Sequence, residues 1–232
     1  VTTSDANAWR ALPLVERELL DAPAEVVAPR LLGTLLVSDE IVGRVVEVEA
    51  YGPDDPASHS VRGRRPGNAT MFAGPGHLYC YVSYGVHHLG NVVVGPAGTG
   101  AAVLLRSIEV LAGRDRAAAR RGDPTRIDER RATARWLGGG PGRLGQVLAL
   151  DRTRDDGIDL LDRASRVVLC TDGKDIGAEN GAENGAGNVA DGTRNGPRVG
   201  VTDAPDVLWR WWLDGHPAVS RYVRSPRAVP AS

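Results

Sequence analysis

Phenylalanine and methionine are nearly missing from this chain, with one of each. Lysine is almost absent as well: Lys174 stands against 27 arginines. The two cysteines, Cys80 and Cys170, lie far apart. That excludes a disulfide framework and a zinc-ligand spacing. The five histidines, His59, His77, His87, His88 and His216, form no HExxH-type pattern. No metal and no other cofactor is therefore expected. No apolar run approaches the roughly 20 residues of a membrane-spanning helix, so no membrane partner is expected. The first residues, Val1-Thr-Thr-Ser-Asp5, lack the basic and apolar regions of a signal peptide. A reduced, cytoplasmic setting is the expectation that follows.

The rest of the composition is ordinary. Hydrophobic residues make up 42% and charged residues 25% of 232 positions, enough for one full core. A single domain over 1–232 is expected. The net charge of −1 hides a strong asymmetry. Residues 1–60 hold 4 Arg against 11 acids, residues 61–150 hold 13 Arg against 5 acids, and the remainder is again acidic. A basic block between acidic thirds fits a local phosphate-contacting face, and equally a solvated helical surface.

Four of the five tyrosines, Tyr51, Tyr79, Tyr81 and Tyr84, fall within 34 residues. In a chain this poor in Phe, they suggest flat, hydrogen-bonding surfaces rather than core filler. The segment Arg44-Val-Val-Glu-Val-Glu-Ala-Tyr51 alternates with period two and reads as a strand. Val45, Glu47, Glu49 and Tyr51 then share one face. A carboxylate beside an aromatic plate is the arrangement of a general base next to a stacked ring. A solvated strand face with an edge tyrosine accounts for the same pattern.

Residues 12–22 and 24–32 read as helices, the second closing at Gly33. Thr34–Val37 reads as a strand that pairs with the Glu49 strand in an antiparallel hairpin. Residues 52–75 form a long loop carrying His59, Arg62, Arg64 and Arg65, and loops of that length are usually functional or disordered. Further strands are predicted over 77–83, 91–94, 101–105, 165–170, 198–201 and 209–213. Tyr84-Gly85 begins a turn, which leaves Tyr84 at a tip. Residues 108–136 are Arg- and Ala-rich and read as mostly helical, with a break at Gly122-Asp-Pro124. Gly138-Gly-Gly-Pro-Gly142 leads into a helix from Arg143 to Leu150. Gly-Ala-Glu-Asn occurs twice in tandem from 177, and the tract 177–196 reads as a mobile low-complexity insertion.

Several of these segments occur in one order that resembles a known family. They are Val46-Glu-Val-Glu-Ala-Tyr51, His59-Ser60, Asn68 to Phe72, Pro75-Gly76, Tyr79-Cys-Tyr-Val-Ser-Tyr-Gly85, Asn91, Val103-Leu-Leu-Arg106, Gly140-Pro-Gly-Arg-Leu144 and Arg198 to Val201. The chain resembles the alkyladenine (3-methyladenine) DNA glycosylases over roughly residues 20–220. The resemblance implies an α+β fold: one domain around a curved, mostly antiparallel sheet with surrounding helices. It implies Glu49 as general base and Arg106 as the arginine that orders the attacking water and the flipped phosphate. Tyr51 and Tyr81 fall where two aromatics sandwich the extruded base, with His59 at its edge. Asn91 falls where an amide disfavours the guanine amino group, and Tyr84 where a side chain wedges into the duplex. The chain departs from the family pattern in the tandem insertion, at Cys80 and at Val86-His87-His88.

The implied activity is monofunctional excision of alkylated or deaminated purines, such as 3-methyladenine, hypoxanthine and ethenoadenine, from double-stranded DNA. Arg62, Arg64, Arg65 and Arg143 are the candidate backbone contacts. A glycosylase that also cuts the strand needs an amine. The single lysine lies far from the motif block, so an abasic site is the expected product. A monomer acting in the bacterial nucleoid is expected. Two other readings remain: a hydrolase of free nucleosides using Glu47 and Glu49 as a carboxylate pair, and a silent binder of damaged DNA. The repeat tract has a direct test. Deleting residues 177–192 should leave folding and activity nearly unchanged, measured by thermal unfolding and base release from lesion DNA. Loss of folding would make the tract structural.

Overall fold

The strand Val42–Tyr51 (β2) lies at the centre of the protein. The computed structural model describes residues 6–38, 40–122, 134–173 and 192–229. The tandem repeat, Lys174 and most of the predicted break at Gly122-Asp-Pro124 lie outside the described residues. The other strands are Leu35–Ser38 (β1), Leu78–Ser83 (β3), His87–Val94 (β4) and Ala101–Ala112 (β5). Val167–Cys170 (β6), Thr193–Gly196 (β7) and Arg210–Leu213 (β8) complete the set among the described residues. All eight belong to one sheet in the order β3-β4-β5-β2-β1-β6, with β8 between β2 and β7. Every pairing is antiparallel and the sheet curls, as the α+β reading expects.

Strand β2 meets β5 along one edge. Its other edge is shared: β1 pairs with Val42–Arg44, and β8 pairs with Glu47–Glu49. The change of partner coincides with register shifts between Val45 and Val48. Such irregularities bend a strand and re-aim its side chains. Here Glu47 lies opposite Ser107 while Val48 lies opposite Leu105, so Arg106 faces no single partner. Consecutive residues Arg106 and Ser107 can both reach Glu47, which strict alternation would forbid.

One face of the sheet is apolar. Val46, Val48 and Ala50 of β2 pack with Val103 and Leu105 of β5, Val92 of β4, and Leu78 and Cys80 of β3. Helices Ala6–Arg10 (α1), Arg17–Leu20 (α2), Ala24–Arg30 (α3), Arg114–Arg120 (α4), Ala134–Gly138 (α5), Pro141–Val147 (α6) and Arg152–Asp155 (α7) flank the sheet. Residues of α3, α4, α5 and α6 cover the apolar face. Helix α6 approaches β4 so closely that a Cβ on Gly145 would overlap the His88 carbonyl oxygen. A second cluster, with Trp9, Val37, Val42 and Val168, closes the β1–β6 end. On the opposite face Met71, Tyr79, Val93 and Ala102 form a smaller cluster. It lies under a 3-10 helix, Pro66–Phe72, which gives the predicted loop its only regular element among the described residues.

Four expectations are corrected. The predicted helix over 12–22 is helical for one turn, Arg17–Leu20. Leu14 instead bridges Cys170, and the Val15 amide donates to the Leu169 carbonyl at 3.0 Å. Residues 108–112 are strand rather than helix, because β5 continues while β2 offers a partner, Gly43 opposite Val110. Arg198–Val201 is not a strand; the Val199 amide is directed to a carboxylate rather than to a ladder. The predicted insertion runs too far, since Thr193–Gly196 pairs with Leu213–Arg210.

Candidate active site

The polar face of the sheet gathers residues from four neighbouring strands. Glu47, Glu49 and Tyr51 come from β2, Arg106 and Ser107 from β5, Asn91 from β4, and Tyr79 and Tyr81 from β3. Glu47 and Glu49 are both 0% exposed, so the solvated-face reading of this strand fails. Burying two carboxylates costs several kcal/mol each unless charge and hydrogen bonds compensate. The compensation is specific. Arg106, 5% exposed, donates from Nε to Glu47 Oε1 at 2.9 Å and places Nη1 3.1 Å from Glu49 Oε1. Arg210 Nε donates to Glu47 Oε1 at 2.7 Å. Two acids and two guanidiniums thus share one buried network.

Glu47 is saturated with donors. The Ser107 hydroxyl reaches Oε2 at 2.6 Å, the Ser220 amide reaches Oε2 at 2.7 Å, and the Ser220 hydroxyl reaches Oε1 at 2.7 Å. Burial would raise its pKa, but Arg106, Arg210, Ser107 and Ser220 outweigh that and hold it below 4.5. Burial likewise works against the Arg106 charge, and Glu49 and Glu47 reverse that effect, so Arg106 stays charged. Glu49 is less crowded. Its Oε1 accepts the Val199 amide at 2.7 Å, and its Oε2 accepts the Tyr51 hydroxyl at 2.9 Å.

Two phenols lie within reach of this acid's charge. Burial, then the charge of Glu49, pushes the Tyr51 phenol well above its ordinary pKa. The Tyr81 phenol is pushed to about 12 by burial and by Glu49. Both rings therefore present neutral hydroxyls next to the carboxylate. Tyr79 and Tyr81 stack with centroids 5.6 Å apart and planes at 23°. His59 meets Tyr81 edge-on at 4.6 Å, and its Nδ1 lies 3.0 Å from the Tyr79 hydroxyl. Burial lowers the His59 pKa below 6.5, favouring the neutral ring at physiological pH, although the residue keeps substantial exposure. Asn68 holds this loop, donating to the His59 carbonyl at 2.8 Å and to that of Gly63 at 3.2 Å. Asn91 is buried and donates to the Tyr79 carbonyl at 3.0 Å.

The remaining sequence-derived residues lie further out. Tyr84 is 93% exposed at the β3–β4 turn, in a left-handed conformation with φ of 51°. Its neighbours Val82 and Val86 are exposed too, which makes the turn an apolar tip. Arg62, Arg64 and Arg65 are exposed. Arg62 and Arg65 line an open cavity of about 410 Å³ together with His59, Val61 and Thr202. Arg143 is half-buried, and its Nη1 donates to the carbonyls of Arg135 and Gly139 at the end of α5. Among the described residues no group of three His, Cys, Asp or Glu could hold a metal ion.

Residues 18–217 match the family of methylpurine-DNA glycosylases. The chain belongs to the methylpurine-DNA glycosylase family. A Nocardia farcinica protein named "Putative 3-methyladenine DNA glycosylase" is 45% identical, over 96% of this chain and 97% of its own length. Proteins of the same name from Burkholderia lata and Mycolicibacterium paratuberculosis are 41% and 43% identical, covering 92% and 91% of this chain and 92% and 94% of their own lengths. The chain is accordingly an enzyme of the DNA glycosylase class, and base excision repair is its setting.

Reading the sequence missed the donors that fix the two acids: Val199, Arg210 and Ser220. The available signal was arginine inside apolar β-type segments, Trp209-Arg210-Trp211 and Pro197-Arg198-Val199. A buried strand tolerates arginine only where an anion waits. Glu47→Gln should destabilise the fold by roughly 3–5 kcal/mol at neutral pH, because it takes the carboxylate partner from buried Arg210 and one of the two from Arg106. The pH sign follows from the lowered pKa. Glu47 contributes stability above 4.5 and loses it as pH falls through its folded value. Urea unfolding at pH 7 and pH 4 should show a smaller acid loss in the variant than in wild type.

Proposed function

We propose that this glycosylase flips alkylated or deaminated purines out of duplex DNA and hydrolyses the N-glycosidic bond with Glu49 as the base. The observation that carries the proposal is a single one. Glu49 is a buried carboxylate held by Arg106, the Val199 amide and the Tyr51 hydroxyl, and its charge acts on Tyr81, which packs with Tyr79 and His59.

The chemistry needs little else. Extruding a base costs a few kcal/mol. Stacking on aromatic plates returns ~1–3 kcal/mol per base, which is the role proposed for Tyr51 and Tyr81. Tyr84, on its exposed tip, fills the gap left in the duplex, as apolar wedges do elsewhere. His59 borders the base as a neutral ring, and Asn91 discriminates against an exocyclic amine. The exposed Arg62, Arg64 and Arg65 supply phosphate contacts beside His59.

Among the described residues Tyr51 is the hydrogen-bond donor on Glu49 Oε2. A carboxylate oxygen accepts more than one bond, so Oε2 is the atom from which a water is activated. Glu49 takes the water's proton and its charge stabilises the oxocarbenium-like sugar, as carboxylates do in glycoside hydrolysis. Arg106 stays charged and holds the carboxylate in place. The substrates proposed are 3-methyladenine, hypoxanthine and ethenoadenine in duplex DNA, and the product is an abasic site.

Two measurements test this reading. Glu49→Gln should abolish base release while lesion-DNA binding, followed by fluorescence anisotropy, is retained. Full excision by that variant would remove Glu49 from the mechanism. Tyr84→Ala should reduce single-turnover excision from duplex far more than from single strands. Equal losses on both substrates would refute the wedge.

A further inference from the structure

Arg198 is a completely buried guanidinium with no place in the scheme above. Its side chain is 0% exposed, and its Nε has no hydrogen-bond partner among the described residues. Nη1 and Nη2 form an ion pair with Asp55, the Nη2 contact measuring 2.9 Å, and Nη1 also donates to the Ala50 carbonyl at 3.1 Å. The guanidinium carbon lies 4.7 Å from the centroid of the Tyr51 ring and 5.6 Å from that of Trp209. Burial opposes its charge, but Asp55, Tyr51 and Glu49 more than compensate, so it remains a cation.

The position of this cation is chemically informative. An aromatic ring attracts a cation through its negative face. A ring already covered by a guanidinium on one side offers a second cation on the other side a weaker field, and the two positive charges repel through the ring. Purine lesions divide on this property. Alkylation at a ring nitrogen makes the nucleotide's base cationic, whereas a deaminated purine such as hypoxanthine is neutral. Glu49 attracts any cationic base, so Arg198 acts as its counterweight.

We infer that Arg198, paired with Asp55 behind Tyr51, is a specificity-determining residue that shifts the excision range from cationic towards neutral purines. The inference rests on the reading of Tyr51 as a base-stacking plate. Arg198 touches neither the base nor the water; it acts through Tyr51, and Asp55 ties it to the loop that carries His59. A strut that only holds the ring in place would change all lesions alike, whereas a charge behind the ring changes their ratio.

The experiment compares single-turnover excision of 7-methylguanine (cationic) and hypoxanthine (neutral) from otherwise identical duplexes. Asp55→Asn leaves the guanidinium without its counter-ion and should lower the cationic-to-neutral rate ratio by about threefold. Asp55→Asn combined with Arg198→Met leaves the back of the ring uncharged and should raise the ratio above wild type by a similar factor. The loop turn survives the change: the Ala57 amide donates to Asp55 Oδ1 at 3.0 Å, and a carboxamide oxygen accepts that bond equally well. Circular dichroism and thermal unfolding establish that each variant is folded. A ratio unchanged in both variants, whatever the absolute rates, overturns the inference. Should the double variant not fold, Asp55→Asn decides alone, and an unchanged or raised ratio overturns it. Tyr51→Leu separates the two levels: undiminished excision of both lesions would defeat the base-plate reading itself rather than the charge effect.

Discussion

The structure depends on the sharing of one guanidinium between two buried carboxylates. Arg106 spans Glu47 and Glu49, which are two residues apart on one face of β2. Both acids are buried, and like charges at that spacing repel strongly in a low-dielectric interior. Without Arg106 and Arg210, β2 could not occupy the centre of the sheet with this sequence. With them, Glu47 becomes an anchor that accepts donors from β5, β8 and the C-terminal segment. Glu49 has fewer donors, and among the described residues its Oε2 accepts from one phenol, Tyr51. Two chemically identical side chains acquire different roles through their surroundings alone.

The aromatic groups extend the same logic. Each phenol near Glu49 is kept protonated by burial and by that carboxylate. Neutral rings with donating hydroxyls line the acid without adding charge to a crowded interior. The charges lie behind the rings and below the acids, where Arg198 and Arg106 sit. The apolar face of the sheet does separate work. It buries Val, Leu and Ala against helices and leaves the other face free to be polar.

Much of this was legible in the sequence, for reasons that particular residues make plain. The Val-Glu-Val-Glu-Ala-Tyr alternation marks a strand and assigns Glu47, Glu49 and Tyr51 to one side. The tyrosine strand after Gly76 separates Leu78 and Cys80 from Tyr79 and Tyr81 by the same rule, and the two groups enter different clusters. Short apolar runs were less decisive. Leu12, Val15, Leu19 and Leu20 satisfy a helical period, yet Leu12 lies in a turn after α1 and Val15 in chain that runs beside β6. Arg- and Ala-rich composition concealed the end of β5, because a strand persists where its neighbour persists, whatever its own propensity. The Ser220 donors to Glu47 were out of reach for a different reason. Ser220 is 173 positions away, and no local pattern encodes a contact of that range.

That separation has a consequence for the order of assembly. Chains emerge from the ribosome N-terminus first, and contacts distant in sequence form last. β2 is synthesised early, with both acids already in place on it. Their neutralisation waits for Arg106, then Arg210, and finally Ser220. A nascent or truncated chain that stops short of residue 220 thus carries an incompletely satisfied pair of carboxylates and a central strand reluctant to bury them. An enzyme that breaks bonds in the genome is assembled only once residue 220 has joined the chain.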